Sequence, residues 1–155
     1  MNKQAKTIIK AIIITILAIF QITLMSYFSI MGLWPNLVFV LALVLVLTGA
    51  EPEAFLTASL GGLILDLTSP LFFGFNTIIL LIMVILVEML VNKFLSEISM
   101  FVAGLFLIIV TVIIDLLMCL ISHQFIFVNL IINVFYTLVV GLIMFRLINY
   151  WFRGK

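Results

Sequence analysis

The chain has 155 residues, of which 67% are hydrophobic and 8% charged, and its formal net charge is +1. Soluble proteins average about 45–50% apolar and about 25% charged residues. The chain therefore lacks the polar surface of a soluble globule, and we expect an integral membrane protein. Its charge also excludes a nucleic-acid-binding surface, because such a surface needs clustered basic residues.

Six transmembrane helices are predicted in chain order, at approximately residues 8–31, 35–49, 51–67, 76–91, 98–121 and 125–148. At roughly 20 residues each they would occupy about 120 positions, which leaves no room for a separate catalytic, ATPase or receptor domain. The first apolar run is too long for the core of a signal peptide and is expected to be retained. We therefore expect residues 1–155 to form one all-α domain, a compact membrane bundle.

Three prolines mark the limits of the second and third predicted helices. Pro35 precedes the second helix, and Pro70 closes the third. Pro52 lies in the first turn of the third helix between Glu51 and Glu53, where proline is tolerated and acids oppose the helix dipole. Both helices are short, about 24 Å and 26 Å against a hydrocarbon core of about 30 Å. They form either two short crossings, which we favour, or a re-entrant hairpin that would place both glutamates deep in the membrane.

Basic residues set the predicted orientation. With six spans and a cytoplasmic N-terminus, every lysine and arginine lies at the cytoplasmic face, as the positive-inside rule requires: Lys3, Lys6, Lys10, Lys93, Arg146, Arg153 and Lys155. An odd number of spans would put the last three outside. Both termini are therefore expected in the cytoplasm.

The third predicted helix carries a row of small residues that ends in an acid. Residues four apart lie on one side of a helix, and this spacing aligns Ala54, Ala58, Gly62 and Asp66, with Thr57 and Gly61 beside them. Small residues in such rows let membrane helices approach closely, so Asp66 is expected to face protein. Two compatible interpretations remain. Asp66 ends a packing seam that fixes the loop 68–75 or binds a partner, or it bonds Thr68, Ser69 or the first amides of the fourth helix.

The fourth and fifth predicted helices each contribute one polar feature. Asn76 is expected to cap the start of the fourth helix. Asp115 lies in the outward half of the fifth helix, without a basic residue in the same half of the membrane. An intramembrane acid is a functional candidate by default. Three roles stay open for Asp115: an interface or ligand contact, proton or ion transfer, or structural hydrogen bonding to Thr111, Asn129, Asn133 or Tyr136.

Catalytic and metal-binding patterns are not found in the sequence. Cys119 is the only cysteine and His123 the only histidine, so one chain cannot assemble a disulfide framework, a structural zinc site or a Cys–His pair. The acids are spread over different predicted helices, without a serine–histidine or paired-carboxylate spacing. We therefore expect no enzyme activity and no cofactor.

Residues 35–74 carry a distinctive pattern of prolines, glycines and one acid: Pro35-Asn36-Leu37, Gly49, Gly61-Gly62-Leu63-Ile64-Leu65-Asp66-Leu67, Leu71 and Gly74. This pattern resembles that of the rod shape-determining protein MreD family. The resemblance implies a noncatalytic scaffold of lateral peptidoglycan synthesis in the bacterial inner membrane. It also implies structural or interface roles for Pro35, Gly61, Gly62, Asp66 and Gly74.

The same resemblance implies partners and an alternative. MreD-like proteins work with MreC, a single-span protein with an extracytoplasmic domain, and with the MreB filament and the RodA/transpeptidase synthase pair. The family's fold is similar to the six-helix substrate-binding subunits of energy-coupling-factor vitamin transporters, so such a subunit is the alternative identity. A vitamin pocket needs several convergent polar groups, and the predicted outer loops supply few.

Overall fold

In the computed structural model, residues 3–24, 36–68, 72–94, 98–122 and 127–153 are described, and every regular element within them is a helix. Pro35, Pro70 and His123 lie outside these ranges. The elements are α1 (Lys3–Leu24), α2 (Leu37–Leu47), α3 (Glu51–Leu56), a π-helical turn (Thr57–Gly61), α4 (Gly62–Asp66), α5 (Phe75–Phe94), α6 (Met100–Ser122) and α7 (Phe127–Arg153).

Within the described residues, three helices are long and apolar enough to cross a membrane. The qualifying segments are Phe75–Lys93 in α5, Met100–Leu117 in α6 and Leu130–Tyr150 in α7, with shorter apolar stretches at Ala11–Thr23 and Leu37–Leu47. Large apolar side chains on the long helices point outward; Phe101 is 76% exposed and Phe135 is 67% exposed. Exposed phenylalanines of this kind suit contact with lipid. The chain is therefore an all-helical membrane protein in the part that the structure describes.

The short helix α2 lies at the centre of the bundle. Every residue of α2 except Leu41 is buried, and the helix packs against α1, α3, α5, α6 and α7. A helix that is apolar on all sides needs an apolar environment on all sides, and here the neighbouring helices supply it. Its 11 residues span only about 17 Å, and neighbouring helices cover it along that length.

A glycine turn joins α2 to α3. Gly49 has a positive φ of 75°, its N–H donates to the Val46 carbonyl, and the Ala50 N–H donates to the Leu45 carbonyl. This pattern ends a helix with a left-handed residue, a conformation that glycine adopts without steric cost. The reversal brings α3 back against α2 and so places the small residues of the third predicted helix beside the core.

The third predicted helix differs from a regular α-helix. Residues 51–66 run without a break through α3, the π-helical turn and α4, and the turn inserts i→i+5 hydrogen bonding between two short α-helical pieces. Such turns are short and occur often at functional sites. The sixth predicted helix is also longer than expected, because residues 149–153 continue α7 to Arg153.

Candidate functional site

Asp66 is a buried carboxylate that accepts four hydrogen bonds. Its Oδ1 accepts from the backbone N–H of Asn76 at 2.8 Å and from Asn76 Nδ2 at 2.9 Å. Its Oδ2 accepts from the backbone N–H of Thr77 at 3.1 Å and from Thr77 Oγ1 at 2.6 Å. The side chain is 4% exposed. Both oxygens are satisfied by donors, as an ionised carboxylate in a buried position requires.

These contacts make Asp66 the cap of α5, although it belongs to α4. Asn76 and Thr77 lie in the first turn of α5, where backbone N–H groups have no partner within the helix. A negative group at this place also opposes the positive end of the helix dipole. Asn76 therefore does not cap the helix from the preceding position as expected, because the helix already begins at Phe75 and a carboxylate from α4 occupies that role.

Two adjacent glycines of the same helix contact different neighbours. A Cβ atom on Gly62 would lie 2.7 Å from the Cα of Thr77, and one on Gly61 would lie 2.5 Å from Cγ1 of Val38. Gly62 thus lets α4 approach the backbone of α5, and Gly61 lets it approach α2. Residues 51–66 form one continuous helical segment, which we call the rod 51–66. Ala54, Thr57 and Ala58 of this segment are each 0% exposed.

Gly74 completes the connection between α4 and α5. Its φ of 92° is a conformation that side chains other than glycine rarely adopt, and its carbonyl accepts from the N–H of Ile78 in the first turn of α5. The backbone reversal at Gly74 aims the α5 start at Asp66. Within the described residues, Gly62, Asp66 and Gly74 therefore belong to one connected group of contacts with Asn76 and Thr77, which we call the α4–α5 junction, whereas Gly61 lies next to it and contacts α2.

A second polar network fixes the start of α2. Asn36 Oδ1 accepts from the backbone N–H of Phe39 at 3.0 Å, which is a side-chain cap of α2. The same oxygen accepts from Gln21 Nε2 at 3.1 Å, and Gln21 Oε1 accepts from the Val38 N–H at 2.9 Å. Gln21 of α1 thus satisfies the beginning of α2. Gln21 was not among the residues predicted from the sequence, although a lone glutamine in an apolar run must find a partner when it is buried.

Asp115 is only partly satisfied. Its Oδ1 accepts from Asn133 Nδ2 of α7 at 2.7 Å, one of the partners that the sequence suggested. Its Oδ2 is shielded from solvent and has no hydrogen-bond partner among the described residues. Thr111 donates instead to the Leu107 carbonyl of its own helix at 2.7 Å. Of the other suggested partners, the side chain of Asn129 lies outside the described part.

A cavity of about 170 Å³ connects the three networks. It lies between the start of α2 and helices α5, α6 and α7, at the end of the bundle where α2 and α5 begin. Of the described residues that line it, six have polar side chains and four have apolar ones: Asn36, Asn76, Thr111, Asp115, Asn133 and Thr137, with Phe39, Ile79, Leu80 and Ile114. The cavity thus gathers carboxylate, amide and hydroxyl groups from three helices and from the residue that caps α2, which is the convergence that a small-ligand site needs.

A smaller polar contact lies at the other end of α5. Glu51 Oε1 of α3 accepts from Asn92 Nδ2 at 3.2 Å, and the Glu88 carboxyl lies close enough to Glu51 to interact with it. This contact links the start of α3 to the end of α5. Within the described ranges no group of three or more His, Cys, Asp or Glu side chains has metal-site geometry.

The candidate residues from the sequence therefore divide between two places. Ala54, Ala58, Gly61, Gly62, Asp66 and Gly74 belong to the rod 51–66 and the α4–α5 junction, Asp115 belongs to the cavity, and Pro35 lies outside the described residues. Thr137, which lines the cavity and is 2% exposed, was also not among the residues predicted from the sequence. In comparisons with known proteins, the chain gives no significant match to a protein-family model, a curated protein or a solved structure.

Proposed function

We propose that the chain is a noncatalytic membrane scaffold of the MreD type, which helps to maintain rod shape within the lateral peptidoglycan synthesis machinery. In this proposal six helices cross the bacterial cytoplasmic membrane, with both termini in the cytoplasm. The single observation that supports it is the α4–α5 junction. Three of the positions that carry the MreD resemblance, Gly62, Asp66 and Gly74, make or shape the contacts of this one junction.

A scaffold role follows from how the junction is built. The four hydrogen bonds of Asp66 are all internal, so the junction holds α4 and α5 in fixed positions and leaves no reactive group free. Helices held rigidly in this way can present their outer faces to other membrane segments. We propose that these faces dock an MreC-like bitopic protein and, through it, the MreB filament and the RodA/transpeptidase pair.

The proposal is tested by an affinity pull-down of the full chain from native membranes in mild detergent. Recovery of a single-span protein with an extracytoplasmic domain is the expected result. The Asp66→Asn variant should recover less of it, because the junction that positions the helices is weakened. Asp115→Asn is the matched control: it makes the same chemical change outside the junction and should leave recovery unchanged. Normal recovery with Asp66→Asn would argue against the junction as the docking determinant.

Depletion of the protein in a rod-shaped host provides an independent measurement. Rounded cells are expected if the chain positions the wall-synthesis machinery. Rods of normal width after complete depletion, in a host with one copy of the gene, would contradict the scaffold proposal.

A second candidate function is a substrate-binding subunit of an energy-coupling-factor vitamin transporter, and the polar cavity is the observation that favours it. Its volume of about 170 Å³ is below the roughly 300–1,000 Å³ of typical ligand pockets, so a whole vitamin would need additional space. Recovery of a transporter ATPase module in the same pull-down, in place of an MreC-like protein, would select this function.

A further inference from the structure

The polar cavity adjoins an apolar groove between α5 and α6. The groove has a volume of about 500 Å³ and every lining residue is apolar. Ile79 and Ile114 line both the cavity and the groove, so the two spaces meet at a shared wall. Together they form one elongated site that is polar at one end and apolar along the rest.

The groove opens to the outside of the bundle. Leu86 of α5 is 55% exposed, and Ile109 and Ile113 of α6 are 53% and 51% exposed. These side chains belong to helices that are long and apolar enough to cross a membrane. Lipid can therefore enter the groove from the side.

The length of the groove fits one lipid leaflet. Its walls on α5 run from Ile79 to Leu90, which is about 16 Å along a helix axis. This is roughly half of the ~30 Å hydrocarbon core, the depth that the acyl chains of one leaflet occupy. A partner's transmembrane helix would need a contact surface along the whole core, so the groove fits a hydrocarbon tail better than a helix.

The polar cavity indicates the chemistry of the group that binds at the other end of the site. Among the described residues that line the cavity, Asp115 is the only charged one, and its Oδ2 has no hydrogen-bond partner among the described residues. A shielded carboxylate oxygen is costly unless a donor or a cation pairs with it. A cavity of about 150 Å³ can hold a group as large as benzene, so 170 Å³ accommodates an alkylammonium group. A primary ammonium supplies both the positive charge and the N–H donors.

We infer that the cavity and the groove form one binding site for an amphiphile with a primary ammonium head and a hydrocarbon tail. The head donates a hydrogen bond to Oδ2 of Asp115, with the amide and hydroxyl oxygens of the cavity as further acceptors, and the tail lies between α5 and α6. The ligand class is that of an aminolipid from the surrounding leaflet. This inference does not depend on the proposed scaffold role.

The test uses the full chain, purified in mild detergent and freed of lipid, with binding measured by native mass spectrometry. Phosphatidylethanolamine is compared with phosphatidylcholine of identical acyl chains, because the quaternary head of the second lipid has no N–H donor. We expect a preference of roughly tenfold for phosphatidylethanolamine, the size of effect that accompanies a hydrogen bond to a charged group. Free ethanolamine, which has the head without the tail, should not compete at equal concentration.

Substitutions at Asp115 test the contact with the ammonium head, and tryptophan substitutions test the contact with the hydrocarbon tail. Asp115→Asn should abolish the preference between the two lipids, while Asp115→Glu should retain most of it. Ile113→Trp fills the groove and should weaken the binding of both lipids. Ile131→Trp is its matched control, because Ile131 is 52% exposed and lies on α7, away from the groove. Both isoleucines are exposed, so this pair tests the groove independently of any change at Asp115.

Several results would overturn the inference. One is equal binding of the two lipids by the unmodified chain, and another is a preference that persists in Asp115→Asn. If ethanolamine competed as strongly as the lipid, the groove would not contribute to binding. Equal effects of Ile113→Trp and Ile131→Trp would contradict binding of the tail in the groove in the same way. Loss of a co-purifying membrane protein in Asp115→Asn, with lipid binding unchanged, would assign the cavity to a protein partner instead.

Discussion

Two acids near the same end of the bundle are satisfied in different ways. Asp66 accepts four hydrogen bonds from the first turn of α5, whereas Asp115 accepts one from Asn133, and its Oδ2 has no partner among the described residues. A charged residue at membrane depth costs about 2.5–3.5 kcal/mol on insertion scales. The four hydrogen bonds of Asp66 offset this free-energy cost, so Asp66 stabilises the fold. Asp115 accepts fewer hydrogen bonds, and they offset less of the cost. We therefore assign Asp115 to binding and Asp66 to structure.

Replacement of Asp66 by asparagine should destabilise the protein. The new amide group places N–H donors where a carboxylate oxygen faced other donors, so at least one backbone hydrogen bond and the charge at the α5 start are lost. We expect a loss of about 1–3 kcal/mol, measured as a lower Tm in thermal unfolding followed by helical circular dichroism in detergent.

Asp115→Asn is the control for this measurement, because its remaining oxygen can still accept from Asn133. Its effect on Tm should be clearly smaller. Equal losses in the two variants would contradict the capping role of Asp66. The variant Thr77→Ser, which keeps the hydroxyl donor of Thr77, should stay close to the unmodified chain.

The spacing of residues predicted part of this chemistry. Helical spacing placed Asp66 on the same side as Ala54 and Ala58, and the structure buries all three. The spacing could not identify the donors, because these come from α5 and their position depends on the backbone reversal at Gly74. Gln21 was missed for a related reason: one polar residue in an apolar run has no periodicity that would indicate its partner.

At the scale of elements, the rod 51–66 makes two contact surfaces where the sequence suggested one seam. Gly61 faces Val38 of α2, and Gly62 faces Thr77 of α5. The π-helical turn ends at Gly61, and its wider spacing changes the direction of the residues that follow relative to a regular α-helix. A pattern of small residues alone does not reveal such a turn, so the division of the seam could not be predicted from sequence.

Gly62→Ala should separate α4 from α5. The added Cβ would lie 2.7 Å from the backbone of Thr77, which cannot move without disturbing the Asp66 cap. Overpacking of this kind costs typically about 1–3 kcal/mol, and we expect a corresponding fall in Tm together with slower recovery of helical signal after partial unfolding.

Gly104→Ala is the matched control, because a Cβ there would meet only Leu142 at 3.8 Å, an ordinary contact. Alanine is favoured over glycine within a helix by about 0.8–1 kcal/mol, so this variant should be neutral or stabilising. If Gly62→Ala behaved like Gly104→Ala, the close approach of α4 and α5 at Gly62 would be refuted.

At the scale of the whole molecule, the bundle is organised around the short helix α2. The sequence predicted α2 as a short apolar helix but could not place it at the centre, because a helix that is apolar on every side has no periodic face to indicate its neighbours. Its burial follows from contacts with helices far along the chain. The limits of α5 and α6 were closer to the prediction, since turn residues and charges mark their ends locally.

The proposed orientation of the molecule can be tested on α5, which has an exposed residue at or next to each end. Lys93 lies at its C-terminal end and Phe73 precedes its start, and both are exposed. Because basic residues are retained on the cytoplasmic side, Lys93 should lie inside and Phe73 outside. In a Cys119→Ser background, a membrane-impermeant maleimide should label Phe73→Cys in intact cells and Lys93→Cys only after permeabilisation.

The two positions control for each other, since one helix of 20 residues, about 30 Å long, separates them. Labelling of Lys93→Cys but not Phe73→Cys in intact cells would reverse the proposed orientation and place both termini outside if six helices cross. Labelling of both in intact cells would mean that α5 does not cross the membrane, and the six-span arrangement would then be wrong as well.

The expected labelling pattern would put the amphiphile cavity, which lies near the start of α5, in the outer half of the bilayer. It would thereby define the leaflet that supplies the ligand.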